Sequence, residues 1–267
     1  MHENERHRII LSAIQAKPFV TVAEMVELTE SSEATIRRDI ATLHMQKKLR
    51  RVRGGAESNA PPAFVGLAGR PFSVNQGKHA RQKQAIARAA VALCEDGESI
   101  IINGGTTTFQ MVHPLANRRC QVFTNSFPIA EHLLKQTKNT VVLSGGTIYR
   151  EQNIILSPFD NDVTRNFYAR RMFMGCQGIA PLGIMEADPL VIQAEQKLIG
   201  QADELVILAD SSKFDLRSSL ILCALEKVGT IITDEGIEDR HAAMLDAADV
   251  KLIVAPLGFG VSAEEAG

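Results

Sequence analysis

Apolar residues near the start of the chain recur at helical spacing. In residues 3–16, Ile9, Ile10, Ala13 and Ile14 form one stripe. That predicts a helix, and Lys17-Pro18 ends it because the residue before proline is pushed out of the α region. Thr21-Val22-Ala23-Glu24 has the form of a capping box and opens a second helix to about Thr29. Glu30-Ser31 makes a short turn. Ser32 then N-caps a third helix reaching Leu43. Ile36, Ile40 and Leu43 fall on one side of it, and Ala34, Arg37, Arg38 and Ala41 on the other. Leu49 and Val52 flank a basic run that closes on Gly54-Gly55, the pattern of a small β-wing. Two helices, a short turn and a third helix make the helix-turn-helix layout.

Periodicity is lost over residues 57–78, where Pro61, Pro62, Gly66, Gly69, Pro71 and Gly77 punctuate the chain. From 79 the pattern becomes α/β. A helix is expected over 79–94, with Ile86, Ala87, Ala90 and Leu93 as its apolar face. Strands are expected at 99–103, 121–124, 140–143, 171–175, 204–209, 228–233 and 250–254. Helices are expected from Thr106 to about Leu115 and over 127–136, 189–202 and 238–248. Short apolar strands alternating with helices predict a largely parallel sheet covered on both faces. Ligands in such sheets bind beyond the carboxyl ends of the strands.

Composition narrows the class. Of the residues, 45% are hydrophobic and 22% charged, which permits a sizeable core. The net charge is only −2, but residues 37–53 hold seven Lys/Arg against Asp39 alone, a local +6. A compact cationic segment in an otherwise acidic chain is a footprint for phosphate. The four cysteines are far apart, with no Cys-x-x-Cys pair and no metal-like spacing, so structural thiols in a reducing cytoplasm are expected. The charged N-terminus has no secretory apolar core, and no run reaches the roughly 18 apolar residues of a membrane span. The expected location is the cytoplasm. No cofactor or metal is expected.

Thr35-Ile36-Arg37-Arg38-Asp39-Ile40, followed by Leu49-Arg50-Arg51-Val52-Arg53-Gly54-Gly55-Ala56, resembles the winged helix-turn-helix of the DeoR family of bacterial sugar-metabolism regulators. The family usually has a glycine and then an apolar residue in the turn. Here those places hold Glu30 and Ser31. The expected DNA-binding residues are Ser32, Thr35, Arg37, Arg38, Lys48, Arg50, Arg51 and Arg53. Arg37 and Arg38 straddle the exposed face, so one should reach bases and the other phosphate. Thr35 can donate to phosphate near the helix N-terminus. The wing cations supply salt-sensitive affinity. Asp39 lies towards the buried edge, where the expected role is an internal partner for an arginine.

The strand-end loops suit a phosphorylated polar ligand. Gly104 and Gly105 let backbone N–H groups approach an anion, and Thr106, Thr107 and Thr108 add hydroxyl donors at a helix N-terminus. Lys197 and Lys213 can add positive charge, and Asn125, Gln177, Glu186 and Asp210 can bond sugar hydroxyls. Gly105-Thr106-Thr107, Thr124-Asn125-Ser126, Gly145-Gly146, Gly178-Ile179, Gly183, Lys197 and Asp210-Ser211-Ser212-Lys213 resemble the DeoR-family sensor domain. Its fold is shared with ribose-5-phosphate isomerase and glucosamine-6-phosphate deaminase. The resemblance implies effector-site roles for those positions, among them Gly145, Gly146 and Gly178. Gln152 to Pro158 resembles the subgroup regulating L-ascorbate-6-phosphate use.

The expected architecture is a winged helix-turn-helix over residues 1–57, a linker over 58–78, an α/β sensor domain over 79–255 and a disordered tail over 256–267. The expected function is a non-enzymatic transcriptional regulator, a repressor of a carbohydrate-utilisation operon. Its partners would be double-stranded operator DNA, a phosphorylated sugar, polyol or sugar-acid effector, and further copies of itself as a dimer or tetramer, with no membrane. The alternative is an isomerase-like enzyme carrying a DNA-binding domain, since Glu186, Asp188 and Lys197 can in principle move protons.

Overall fold

The computed structural model describes residues 2–16, 19–52, 54–57, 72–157, 159, 162–214 and 216–258. The chain divides into two compact units, Met1–Gly66 and Leu67–Gly267.

The first unit contains α1 (Glu3–Ala16), β1 (Phe19–Thr21), α2 (Val22–Thr29), α3 (Glu33–Met45), β2 (Arg50–Val52) and β3 (Gly55–Glu57). The strands form one antiparallel sheet in the order β1-β3-β2. The short strand β1, which periodicity did not predict, makes the wing three-stranded. Both helix starts are capped as the sequence implies. Thr21 Oγ1 accepts from Glu24 N at 3.1 Å while Glu24 Oε2 accepts from Thr21 N at 2.8 Å, and Ser32 Oγ accepts from Thr35 N at 3.2 Å. Glu30 takes the left-handed conformation (φ 50°) that closes α2, the place where the family pattern has glycine. Ile10, Ile14, Met25, Ile36, Ile40, Leu43 and Leu49 form the core, while Ile9 and Ala13 of the predicted stripe are only half-buried. Each fully buried aliphatic side chain contributes about 1.5–3 kcal/mol.

Asp39 ties α3 to α1. Its Oδ2 accepts from Arg6 Nε at 2.8 Å, and Oδ1 lies 3.2 Å from both Arg6 Nη2 and His7 Nε2. The arginine partner expected for Asp39 therefore comes from the first helix.

The second unit begins with α4 (Phe72–Gln76) and α5 (Ala80–Ala92). The helix α4 stands where loss of periodicity had placed linker, and residues 58–71 lie outside the described residues. Next come β4 (Ser99–Ile102), α6 (Thr106–Phe109), β5 (Gln121–Thr124), α7 (Phe127–Gln136), β6 (Thr140–Leu143), β7 (Thr147–Tyr149) and β8 (Ile154–Leu156). The chain continues through β9 (Ala169–Met174), β10 (Gly178–Ala180), β11 (Gly183–Glu186), α8 (Pro189–Ile199), β12 (Ala202–Leu208), β13 (Leu220–Cys223), β14 (Thr230–Asp234), α9 (Asp239–Ala247) and β15 (Lys251–Ala255). The helix expected from Thr106 to Leu115 is a single α-turn, continued by 3₁₀ turns at Gln110–Val112 and Pro114–Asn117. Proline at 114 removes one backbone donor and disfavours helix at the residue before it. Of the expected tail, residues 259–267 lie outside the described residues.

Seven parallel strands make the main sheet, in the order β15-β14-β12-β9-β4-β5-β6. Alternate residues face opposite layers. Ile100 and Ile102 of β4 pack with α5 and α7, while Ile101 packs with Leu198 of α8 and Leu245 of α9. The chain winds outward from β4 to β6, then returns to β9 on the other side of β4 and winds the opposite way. The reversal lies between β4 and β9, and the loops leaving their carboxyl ends splay apart there. A small antiparallel sheet (β10-β11-β13) and the β7–β8 hairpin are separate from the main sheet.

Burial alone would raise the Asp39 pKa, but hydrogen bonds from Arg6 and His7 outweigh it and hold the carboxyl below its ordinary value. A lowered folded-state pKa gives stability that is present above the unfolded-state value and is lost as pH falls through the folded one. Calorimetry of the full chain should therefore show the winged-helix transition collapsing as pH drops below about 4. Asp39→Asn should cost about 1–3 kcal/mol at neutral pH and flatten that acid limb. A variant as stable as the parent at neutral pH would refute the role assigned to Asp39.

Candidate functional site

The exposed face of α3 carries Ser32, Glu33, Ala34, Arg37 and Arg38, with Thr35 half-buried. Ser32 Oγ lies 2.8 Å from Thr35 Oγ1, so the two hydroxyls bond each other at the helix start. Arg37 donates from Nε to Glu33 Oε1 at 2.9 Å, one turn away. On the wing, Lys48, Arg50 and Arg51 are exposed, and Arg50 is ion-paired with Glu57. Arg53 lies outside the described residues. Exposed ion pairs of this kind contribute only about 0–1 kcal/mol, so a DNA phosphate or guanine edge can compete for either arginine. Glu33 was not among the expected site residues, although its i,i+4 spacing from Arg37 was readable.

In the second unit, a cleft of about 170 Å³ opens at the β4/β9 reversal. Gly104, Gly105, Thr106 and Thr107 follow β4, Gln177 follows β9, Glu186 ends β11, and Asp210 and Lys213 follow β12. These eight expected residues meet in one place. Asp210 Oδ1 accepts from Ser212 N at 3.2 Å and thereby caps the turn that carries Lys213.

The other expected effector residues are elsewhere. Thr108 is fully buried and its hydroxyl donates to Asn103 O at 2.7 Å, so it braces the loop. Asn125 and Lys197 line a different cleft, of about 220 Å³, with Ser144 and Thr147. Lys197 Nζ donates to Phe159 O at 2.8 Å and lies 3.6 Å from Asp162 Oδ2. It sits two residues, about 200° of helix, beyond Glu195, and so faces away from the first cleft. Asn125 supports that cleft from behind, since its Oδ1 accepts from Gly104 N at 2.9 Å. Gly145, Gly146 and Gly178 line neither cleft. A side chain at Gly146 (φ 142°) would meet Leu156 O, and one at Gly178 would meet Leu216 O, so both are glycine because backbone passes close by. Gly104 is confined by a side chain instead, since a Cβ there would meet Ile154 Cγ2. The short α6 offers little helix dipole, so the anion-binding capacity of its loop rests on backbone N–H groups and the Thr106 and Thr107 hydroxyls.

The most informative cleft residue is Lys83, which was not expected. It is 4% exposed, lines the cleft from α5, and donates from Nζ to Asn75 O at 2.6 Å. Burial, partly offset by Asp210, lowers its pKa to about 8. The signal was present in the sequence: Lys83 occupies the same helical stripe as Ile86, Ala87 and Ala90. Glu195 was also missed. It is 3% exposed and lines the cleft from α8, and burial, reinforced by Glu186, pushes it well above the ordinary carboxylate range.

Residues 6–61 match the DeoR-like helix-turn-helix domain, and residues 78–235 match the DeoR C terminal sensor domain. The chain belongs to the DeoR family. It is a DeoR-type helix-turn-helix transcriptional regulator. The HTH-type transcriptional regulator UlaR of Shigella dysenteriae serotype 1 is 33% identical over 256 residues, covering 95% of this chain and 99% of that protein. UlaR of Escherichia coli K12 matches to the same extent, with 33% identity over 95% of this chain and 99% of its own length. A ribose 5-phosphate isomerase structure from Methanocaldococcus jannaschii aligns at 18% identity and a TM-score of 0.38, over 49% of this chain and 53% of that one. Among the described residues, no helix is long and apolar enough to cross a membrane.

Gly104→Ala should destabilise the sensor unit by about 1–3 kcal/mol through overpacking against Ile154. Adding Ile154→Ala should make the double variant less destabilised than the sum of the two single changes. Thermal unfolding of the four proteins in the cycle measures this, and strict additivity would refute the contact.

Proposed function

We propose that the chain is a repressor of a carbohydrate-utilisation operon, and that it binds operator DNA through α3 and the wing and is released by a phosphorylated sugar, polyol or sugar acid held in the β4/β9 cleft. The observation that carries this reading is the pairing, in one cleft, of a buried lysine with a glycine-threonine loop, in a chain that also carries a recognition helix. Lys83 and Lys213 would hold the phosphate against the N–H groups and hydroxyls of residues 105–107. Gln177, Glu186 and Asp210 would bond hydroxyls of the remainder. Ser32, Thr35, Arg37, Arg38, Lys48, Arg50, Arg51 and Arg53 would meet DNA. One recognition helix covers a half-site, so the working form is a dimer or tetramer of copies in the cytoplasm. Release follows by linkage, if the effector prefers a state in which paired recognition helices no longer match the operator. In this reading the unit that ends at Gly66 meets DNA and the unit that begins at Leu67 holds the effector. No turnover is expected, and sugar phosphates incubated with the protein should be recovered unchanged.

Two measurements test the reading. The first is fluorescence anisotropy with an operator selected from random duplexes, run with and without phosphate esters. Lys48→Ala should weaken binding to every duplex and lower the salt slope by about one. Lys83→Met should cost about tenfold to a hundredfold in effector affinity while leaving operator affinity intact. Operator affinity that is unchanged at saturating effector would sink the linkage.

The second is the pH dependence of effector binding. Lys83 is protonated at neutral pH and loses its charge as pH rises through about 8, so affinity should fall there in the parent. The groups acting on it are Asp210, Lys213 and Lys78. The fall should be absent in Lys83→Met. A fall of equal size in both proteins would assign the titration to the ligand or another group.

A further inference from the structure

Two neighbouring strand ends leave polar atoms unmatched. Asn125 and Ser144 are the first residues after β5 and β6, and the parallel register that pairs Thr124 with Leu143 sets them side by side. Both line the cleft of about 220 Å³. Asn125 is 2% and Ser144 8% exposed. The Asn125 amide has a fixed orientation, because Gly104 N donates to it at 2.9 Å and only the amide oxygen can accept. Its Nδ2 is the end left over, and it is buried with no hydrogen-bond partner among the described residues. Ser144 Oγ is buried and unpartnered in the same way. Buried polar groups are nearly always paired, and two left open on the wall of one cleft mark a place where a ligand completes the bonding.

The remaining lining residues define the ligand's chemistry. Lys197 and Asp162 are the charged residues among the described ones that line this cleft. They lie 3.6 Å apart, Nζ to Oδ2, and Lys197 Nζ also donates to Ser157 O at 3.2 Å and to Phe159 O at 2.8 Å. The cation is engaged by groups of the protein itself, and the pair carries no net charge. An anion placed here would compete with Asp162 for Lys197 and would lie beside a like charge. Ile155, Leu190, Ala194 and Leu198 give the same cleft apolar surface. A ligand that offers hydroxyls to Asn125 and Ser144 and C–H surface to these side chains meets both demands. We propose that this cleft binds an uncharged polyhydroxyl compound, a sugar or polyol without phosphate, in addition to the ester held in the β4/β9 cleft. Asn125 Nδ2 donates to one ligand oxygen, and Ser144 Oγ exchanges a hydrogen bond with a neighbouring hydroxyl.

The probes are D-glucose, D-ribose, D-glucitol and ribitol, titrated into the full chain and followed by saturation-transfer NMR and calorimetry. At least one should bind with a Kd of about 1 mM or tighter. Ser144→Ala should weaken that binding about tenfold, a difference of about 1.4 kcal/mol. The same substitution should leave the melting temperature unchanged or higher, because it removes a buried hydroxyl that has no partner among the described residues. A merely structural serine would lower the melting temperature and leave sugar binding alone. Ala194→Leu, which fills the cleft from α8, should abolish binding, with folding checked by circular dichroism. Failure of all four probes to bind, or binding that Ser144→Ala and Ala194→Leu both leave unmoved, would overturn the inference. So would competitive displacement of D-glucitol by D-glucitol 6-phosphate, since the cleft would then take the charged ester. Phosphate esters that fail to bind at all would instead remove the proposed function and leave this site standing.

Discussion

Asp39 in the first unit and Lys83 and Glu195 in the second are charges taken out of water, and the arrangement around each follows from what that costs. A charge buried without a partner is expensive enough that the group shifts its pKa or finds counter-groups. Asp39 takes the second course. With both oxygens engaged by Arg6 and His7, it becomes the polar pin that holds the recognition helix against α1. Lys83 and Glu195 take the first course, each moved towards its neutral form.

The exposed cations of the first unit and the cleft lysines of the second are placed in opposite ways. The cations of α3 and the wing are exposed, and Arg37 and Arg50 are lightly held by Glu33 and Glu57. Salt screens such groups, which suits reversible association with a polyanion. The cations of the cleft lie in or near a low-dielectric interior at the point where the sheet reverses its winding. There, few charges act strongly and the exact groups matter. The polar loops at that reversal come from β4, β9 and β12, so the cleft exists only when the whole sheet is assembled.

Local patterning set much of the fold. Caps at Thr21 and Ser32, the apolar faces of α3 and α5, and the seven short apolar runs of the main sheet are properties of a few consecutive residues, and the structure has them where the pattern placed them. The strands β7, β8, β10, β11 and β13 were not legible. They are three or four residues long and their burial does not alternate from one residue to the next, so no periodicity marks them. Glu30 shows the converse. A residue that looks wrong for a turn still adopts φ 50° there, because packing of α2 against α3 outweighs a local preference.

The sequence by itself determined the winged helix, the parallel α/β class and the residue types able to hold a phosphate, because each is encoded in spacing along one segment. It also favoured an internal arginine partner for Asp39 over a base contact, since an ionised group on a buried edge is stabilised by pairing. Only the tertiary structure decided which arginine, and which of the polar loops share a cleft. It sent Asn125 and Lys197 to a different cleft, turned Thr108 inward, and explained Gly146 and Gly178 by close backbone approach. It brought in Lys83 and Glu195, which lie on helices that read as scaffolding. The reason is geometric: a parallel sheet gathers residues far apart in sequence at one edge, and which side of a helix faces that edge depends on packing across the whole sheet.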